Sequence, residues 1–236
     1  MILQDLRLPE LENCEKLESG LDSLELCSDK NAFLNYPFKF TYKYNSRGFR
    51  DYDWPTESLE DVIWCIGDSF TQGLGCPLEH TWPKLLEKET GKKTITVAMD
   101  GASNQWIHRR SLQIIQEIQP KNMVVMWSFF NRRESKNSSI SDLERRIWVS
   151  TKTTDMDDFI CSLLLFQSLQ KKKQNTNIIH LTVPNAFSRK TSMPNIQNLS
   201  NFIGEVESID KGRDSFHFDI LTSEQLVKKI KPLLTI

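Results

Sequence analysis

The chain reads as an α/β fold, a three-layer α/β/α sandwich around a mostly parallel central sheet. Three observations predict it. Four short apolar runs, VIWCI (62–66), TITVAM (94–99), MVVMW (123–127) and NIIHLTV (177–183), are nearly continuous rather than alternating. That is the pattern of strands buried on both faces. Helix-like segments separate them, at 79–90, 104–118, about 140–174 with a break, and 222–231, and strands alternating with helices give parallel strands joined by crossovers. Small and polar residues follow the runs, so one edge of the sheet is rich in groups that can do chemistry.

Taken in order, residues 1–30 are acidic and weakly periodic, a short helix or a loose arm. FLNYPFKFTYKY (33–44) partly alternates and carries aromatics, which suggests an extended strand or hairpin. NSRGFRD (45–51) reads as a turn, with Gly48 available for positive φ. These segments divide the chain into an N-terminal arm, 1–44, and a main domain, 45–236. The last helix has a capping-box start in Thr222 with Gln225 three residues on, and Pro232 marks its end. PNAFSRKTSMPNIQNLSNFI (184–203), rich in Asn, Ser and Pro, reads as a long surface loop and a candidate lid. No internal repeat is visible.

A length of 236 residues fits one large domain or one domain with an appendage. With 39% hydrophobic and 26% charged residues, the composition is that of a soluble globular chain. A formal net charge of -1 gives no general attraction to nucleic acid or anionic membranes. No apolar run approaches the roughly 18 residues that span a bilayer. The acidic start lacks the basic and apolar regions of a secretory leader, so a cytoplasmic location is expected. The five cysteines, Cys14, Cys27, Cys65, Cys76 and Cys161, form no close pair and no metal-type spacing. They read as reduced thiols, and neither a metal nor a cofactor is expected.

Ligand sites of α/β sheets lie beyond the carboxyl ends of the strands. Gly67-Asp68-Ser69 follows the first run, Asp100-Gly101-Ala102-Ser103-Asn104 the second, and Ser128-Phe129-Phe130-Asn131-Arg132-Arg133 the third. Asp214 and His217 precede the last helix. The set has a chemical logic. A serine hydroxyl needs a neutral imidazole to remove its proton. The imidazole needs a carboxylate to fix its tautomer and stabilise its charged form, and a spacing of three lets one turn supply both. The developing oxyanion needs fixed donors, which the backbone N–H groups of Ser69 and Gly101 and the Asn131 amide could supply. Asp68 reads as an acceptor for loop N–H groups rather than as the acid of the triad. Of the four histidines, His80 reads as a helix-start residue, His108 as surface and His180 as core. Only His217 has the carboxylate spacing. Phe70, Trp106, Phe129 and Arg132 are candidate pocket residues. Trp64 and Trp127 read as core. Arg132 with Arg133 reads as a solvated edge or structural ion pair, or else as a preference for anionic substrate. No phosphate-cradling P-loop is present.

These residues resemble the SGNH hydrolases, or GDSL esterases and lipases. GDSFTQG resembles the family's first block with its nucleophilic serine, DGASN the second with its oxyanion glycine, and DSFHFD the last, Asp-x-x-His. TWPKLL (81–86) resembles members that continue from GDSFT-x-G, and NSRGFRD a segment ahead of the first block in some bacterial and phage relatives. The third block departs: where the family often has Gly-x-Asn-Asp, this chain has Phe129-Phe130-Asn131-Arg132. The resemblance implies a flavodoxin-like fold and a serine esterase. Its triad would be Ser69, His217 and Asp214, and its oxyanion hole Ser69, Gly101 and Asn131. The substrate it implies is a small-molecule or glycan ester, an O-acetylated carbohydrate in particular. Two alternatives stand beside it: an O-acyltransferase, and a non-catalytic structural or glycan-binding component, virion-associated if the chain is of phage origin. Oligomeric state is not legible.

Overall fold

The computed structural model describes residues 3–16, 40–135, 140–144, 146–148, 155–186 and 201–235. In chain order the elements are β1 (Glu15–Lys16), β2 (Tyr42–Lys43), β3 (Ile63–Gly67), α1 (Ser69–Gln72), α2 (Trp82–Thr90), β4 (Thr94–Ala98), α3 (Asn104–Glu117), β5 (Asn122–Trp127), β6 (Arg132–Glu134), β7 (Arg146–Trp148), α4 (Asp155–Lys172), β8 (Asn177–Thr182), β9 (Phe202–Glu205) and α5 (Ile220–Ile230). Five strands form one parallel sheet in the order β4-β3-β5-β8-β9, with Gly67 beside Ala98 and Ile66 beside Val125. The chain therefore starts inside the sheet, steps to one side, then crosses to the other. The change of direction opens a crevice at the carboxyl end of β3.

Strand residues alternate between two cores, as a period of two requires. Trp64, Ile66, Val97, Val125 and Trp127 face Ile107, Ile114, Phe159 and Phe166 of α3 and α4. Ile63, Cys65, Val124, Met126 and Leu181 face Trp82, Leu86, Leu226 and Ile230 of α2 and α5. Leu3, Leu6, Leu8, Leu11, Tyr42 and Tyr44 belong to the first of these cores. Residues 3–16 are thus neither a loose arm nor a regular helix. They form a single 3₁₀ turn at Pro9–Leu11 and the strand β1, which pairs antiparallel with β2. Residues 17–30 and 33–39 lie outside the described residues. Cys14, Cys65, Cys76 and Cys161 form no disulfide.

Three further expectations need correction. The front of the segment read as a helix over 140–174 is turn and strand. Residues 146–148 pair antiparallel with β6, and the described helix is Asp155–Lys172. The segment 184–203 ends in structure, because Phe202 and Ile203 open β9, which closes the sheet beside β8; residues 187–200 lie outside the described residues. The cap of α5 is Asp219, not Thr222. The Asp219 carboxylate accepts from Ile220 N, and Thr222 sits one turn in, donating its hydroxyl to Asp210. Asp210 also accepts from Leu221 N at 2.7 Å and Thr222 N at 3.0 Å, so two carboxylates share the first turn.

The sheet edge at β4 is covered by side chains instead of another strand. Thr94 N donates to Glu87 at 3.1 Å and Thr96 N to Asp51 at 2.7 Å. The buried Lys84 ammonium joins both carboxylates and reaches Thr94 O at 3.4 Å. An open edge invites pairing with other chains, and this one is closed. Asp51→Ala leaves the Lys84 charge without its nearest partner and Thr96 N without an acceptor. The variant is expected to lose about 3–5 kcal/mol in urea unfolding. A loss under about 1 kcal/mol would mean that water already serves both groups.

Candidate active site

The strand β3 ends at Gly67 and hands the chain to a buried turn. The Asp68 carboxylate caps α1 by accepting from Phe70 N at 3.0 Å. Its second oxygen accepts from the Ser128 hydroxyl and from Arg132 Nη1, each at 2.6 Å. Asp68 is fully buried and Arg132 is 5% exposed, so the carboxylate has its countercharge inside the protein. The guanidinium also lies 4.9 Å from the Phe129 ring centroid. Asn104, at the start of α3, accepts from Ser128 N at 2.8 Å and donates to Ser128 O at 3.2 Å. These bonds lock the ends of β3 and β5 and the turn after β4 into one block.

Ser69 stands on this block. Its Oγ is 2.8 Å from His217 Nε2, and His217 Nδ1 meets Asp214 Oδ2 in a very short contact. The other Asp214 oxygen accepts from Phe216 N at 3.0 Å and His217 N at 2.9 Å. Burial alone would raise the Asp214 carboxyl. The His217 hydrogen bond and charge, with the two backbone donors, outweigh it and hold the group below the usual carboxylate range. Ser69 is 1% exposed and His217 4%.

The loop carrying Asp214 is set by close backbone approach. Arg213 N donates to Gly75 O at 2.8 Å. Gly75 has φ +81°, and a Cβ there would stand 2.8 Å from Asp214 Oδ1, so only glycine fits. Gly75 N donates to the Tyr42 hydroxyl at 2.9 Å. The buried Arg50 guanidinium donates to Gln72 O at 3.1 Å, to Gly73 O and to Cys76 O at 2.7 Å, which fixes the path from α1 to Gly75.

Gly101 follows β4 with φ +69°, and Asn131 lies in the turn after β5. The backbone N–H groups of Ser69 and Gly101 and the Asn131 amide have no acceptor among the described residues. They stand at the ends of three adjacent strands. Phe70 lies 4.5 Å from the His217 ring, 6.1 Å from Phe129 and 5.6 Å from Phe216, centroid to centroid.

Two candidate pocket residues are elsewhere engaged. Trp106 is fully buried in the core on the α3 side of the sheet, its indole N–H on Asp142 at 2.8 Å, whereas Phe70 and Phe129 pack with the other core. Arg132 is spent on Asp68 rather than offered to an anion. Arg133 pairs with Asp158. His180 is a core residue: it accepts from Trp127 Nε1 at 3.1 Å and contacts Gln170, and burial depresses its pKa to about 3. His108, read as surface, is half-buried, with burial depressing its pKa. Asp219 serves α5. Sequence reasoning missed Arg50, Gly75, Asn104 and Ser128, whose roles come from distant partners; the arginine and glycines of the turn-like NSRGFRD and GLG stretches were the available signal. Among the described residues no group of three His, Cys, Asp or Glu could hold a metal ion, and no helix is long and apolar enough to cross a membrane.

No family model matches the chain, and no curated protein matches it. Solved structures similar to it include TesA, at 12% identity over 74% of this chain and 98% of that one, with a TM-score of 0.45. A family two carbohydrate esterase from Clostridium thermocellum, solved with cellohexaose, is similar at 15% identity over 77% of this chain and 66% of its own, with a TM-score of 0.48. A GDSL-like lipase from Bacteroides ovatus is similar at 19% identity over 75% of this chain and 98% of its own, with a TM-score of 0.46.

The depressed Asp214 pKa makes a signed prediction. A carboxylate held below its unfolded value, about 3.9, stabilises the fold above that pH and loses the contribution as pH falls through the folded value. The stability gap between wild type and Asp214→Asn, measured by urea unfolding, should therefore be full at pH ~7 and shrink below pH ~4. A gap that stays constant down to pH ~3 would show that the carboxylate is not held in its charged form.

Proposed function

We propose that this chain is a serine esterase of the SGNH, or GDSL, type, working through an acyl-enzyme on Ser69 with O-acetylated carbohydrate as its substrate class. The observation that carries the reading is the buried contact of Ser69 Oγ with His217 Nε2 at 2.8 Å while Asp214 holds Nδ1. The hydrogen bond to Asp214 assigns the imidazole proton to Nδ1 and leaves a lone pair on Nε2 for the serine proton. The substrate class rests on the resemblance of the GDSFTQG, DGASN and DSFHFD blocks to that family.

The steps follow from these positions. His217 Nε2 takes the Ser69 proton as Oγ bonds to the ester carbonyl carbon, and the carbonyl π electrons move to its oxygen. The N–H groups of Ser69 and Gly101 and the Asn131 amide donate to that oxyanion. As the tetrahedral centre collapses, the C–O bond to the alcohol breaks and the imidazolium protonates the departing oxygen. Water then gives its proton to Nε2 and attacks the acyl carbon, which frees the acid and returns the proton to Ser69. The buried Asp214 carboxylate stabilises the imidazolium in both halves.

Hydrolysis of p-nitrophenyl acetate by wild type, Ser69→Ala and His217→Ala tests the reading. Both variants should lose nearly all activity, and the wild type should carry one acetyl group on Ser69 after rapid quenching. Equal rates in wild type and Ser69→Ala would remove the esterase reading. Asn131→Ala should lower kcat by about 10²–10³ with little change in KM, the cost of one oxyanion donor. An unchanged kcat would exclude Asn131 from the hole.

A further inference from the structure

Of the two side chains between Asp214 and His217, the one next to the imidazole is an exposed phenylalanine. Phe216 is 46% exposed, although its neighbours Phe70 and Phe218 are 3% and 4% exposed. Its ring stands edge-on to the His217 ring, 5.0 Å between centroids at 86°, and lies 5.6 Å from Phe70 and 6.4 Å from Phe129. It is not a floppy surface residue. Ser215 before it takes a left-handed φ of +59°, a conformation that residues other than glycine rarely adopt. Phe216 N donates to Asp214 Oδ1 at 3.0 Å, and Phe216 O accepts from Lys211 Nζ at 3.0 Å. The carboxylate that orients the imidazole thus also fixes the peptide that displays the ring.

On the esterase reading above, His217 Nε2 must reach the alcohol oxygen when the ester bond breaks, so the alcohol half of the substrate lies against this imidazole. The Nδ1 edge is closed by Asp214, and Phe70 lies 4.5 Å from the imidazole ring. Among the described residues, Phe216 offers exposed apolar surface beside what remains. An aromatic face carries partial negative charge and attracts C–H groups, whether those on one face of a pyranose chair or those at the edge of an aryl ring, and aromatic pairs sit at centroid separations of about 4.5–7 Å. We propose that Phe216 is a specificity-determining residue and that the preferred alcohol bears a six-membered ring, whose apolar face stacks on it.

The test compares wild type and Phe216→Ala on an acetylated methyl xylopyranoside, phenyl acetate and ethyl acetate, reading kcat/KM on each ring ester relative to ethyl acetate. The expected result is a fall in that ratio of roughly two- to tenfold, the size of one aromatic contact, seen in KM more than in kcat and restored by Phe216→Trp. A fall confined to the xyloside identifies a sugar ring, and one confined to phenyl acetate an aryl alcohol; either supports the stacking surface. Ratios unchanged on both ring esters, or a loss equal on all three esters, would overturn it. Absence of any Ser69-dependent hydrolysis by the wild type would instead overturn the esterase reading, and this inference with it.

Discussion

The buried Asp68 carboxylate is the constraint on which the strand ends depend. A charge taken out of water is costly unless it is paired and hydrogen-bonded, and Asp68 satisfies this with Phe70 N, the Ser128 hydroxyl and Arg132. Those three partners come from α1, from the end of β5 and from β6. Satisfying one carboxylate therefore brings together the turn that carries Ser69 and the turn that carries Asn131. At position 132 of this chain the guanidinium neutralises Asp68 and lies against Phe129.

A second brace comes from the N-terminal third of the chain. Arg50 gathers the carbonyls of Gln72, Gly73 and Cys76, Asp51 covers the β4 edge at Thr96 N and pairs with Lys84, and Tyr42 holds Gly75 N. Gly75 then abuts Asp214. Residues well ahead of the sheet thus set the distance between two loops that the sheet alone would leave independent. Gly75 admits no side chain, so the contact tolerates little slack.

Legibility in the sequence followed the range of the interactions. The four apolar runs matched β3, β4, β5 and β8 closely, because burial on both faces writes itself into consecutive residues. The spacing of Asp214 and His217 was readable for the same reason: the bond closes within one turn. The strand β9 was hidden, since Phe202–Glu205 is a short edge strand beside a bulge and lacks a long apolar run. Arg132 and Trp106 were offered to a pocket because their partners, Asp68 and Asp142, lie 64 and 36 residues away. Thr222 and Gln225 made a plausible cap, yet two aspartates outcompeted the hydroxyl for the first turn of α5. Arg50 was invisible as a clamp, since an arginine in a turn-like heptapeptide is ordinarily a solvated residue.

Ser69 and His217 meet across 148 residues of chain. At about 5–20 residues per second, a ribosome needs roughly 7–30 s to travel from one to the other. Ser128 and Arg132 lie 60 and 64 residues after Asp68, before the midpoint of that interval, so the serine turn can be set while the His217 imidazole is still unmade. The nascent chain carries a serine with no base for all of that time. The Ser69–His217 contact therefore forms only after the loop that carries Asp214 and His217 has emerged and docked.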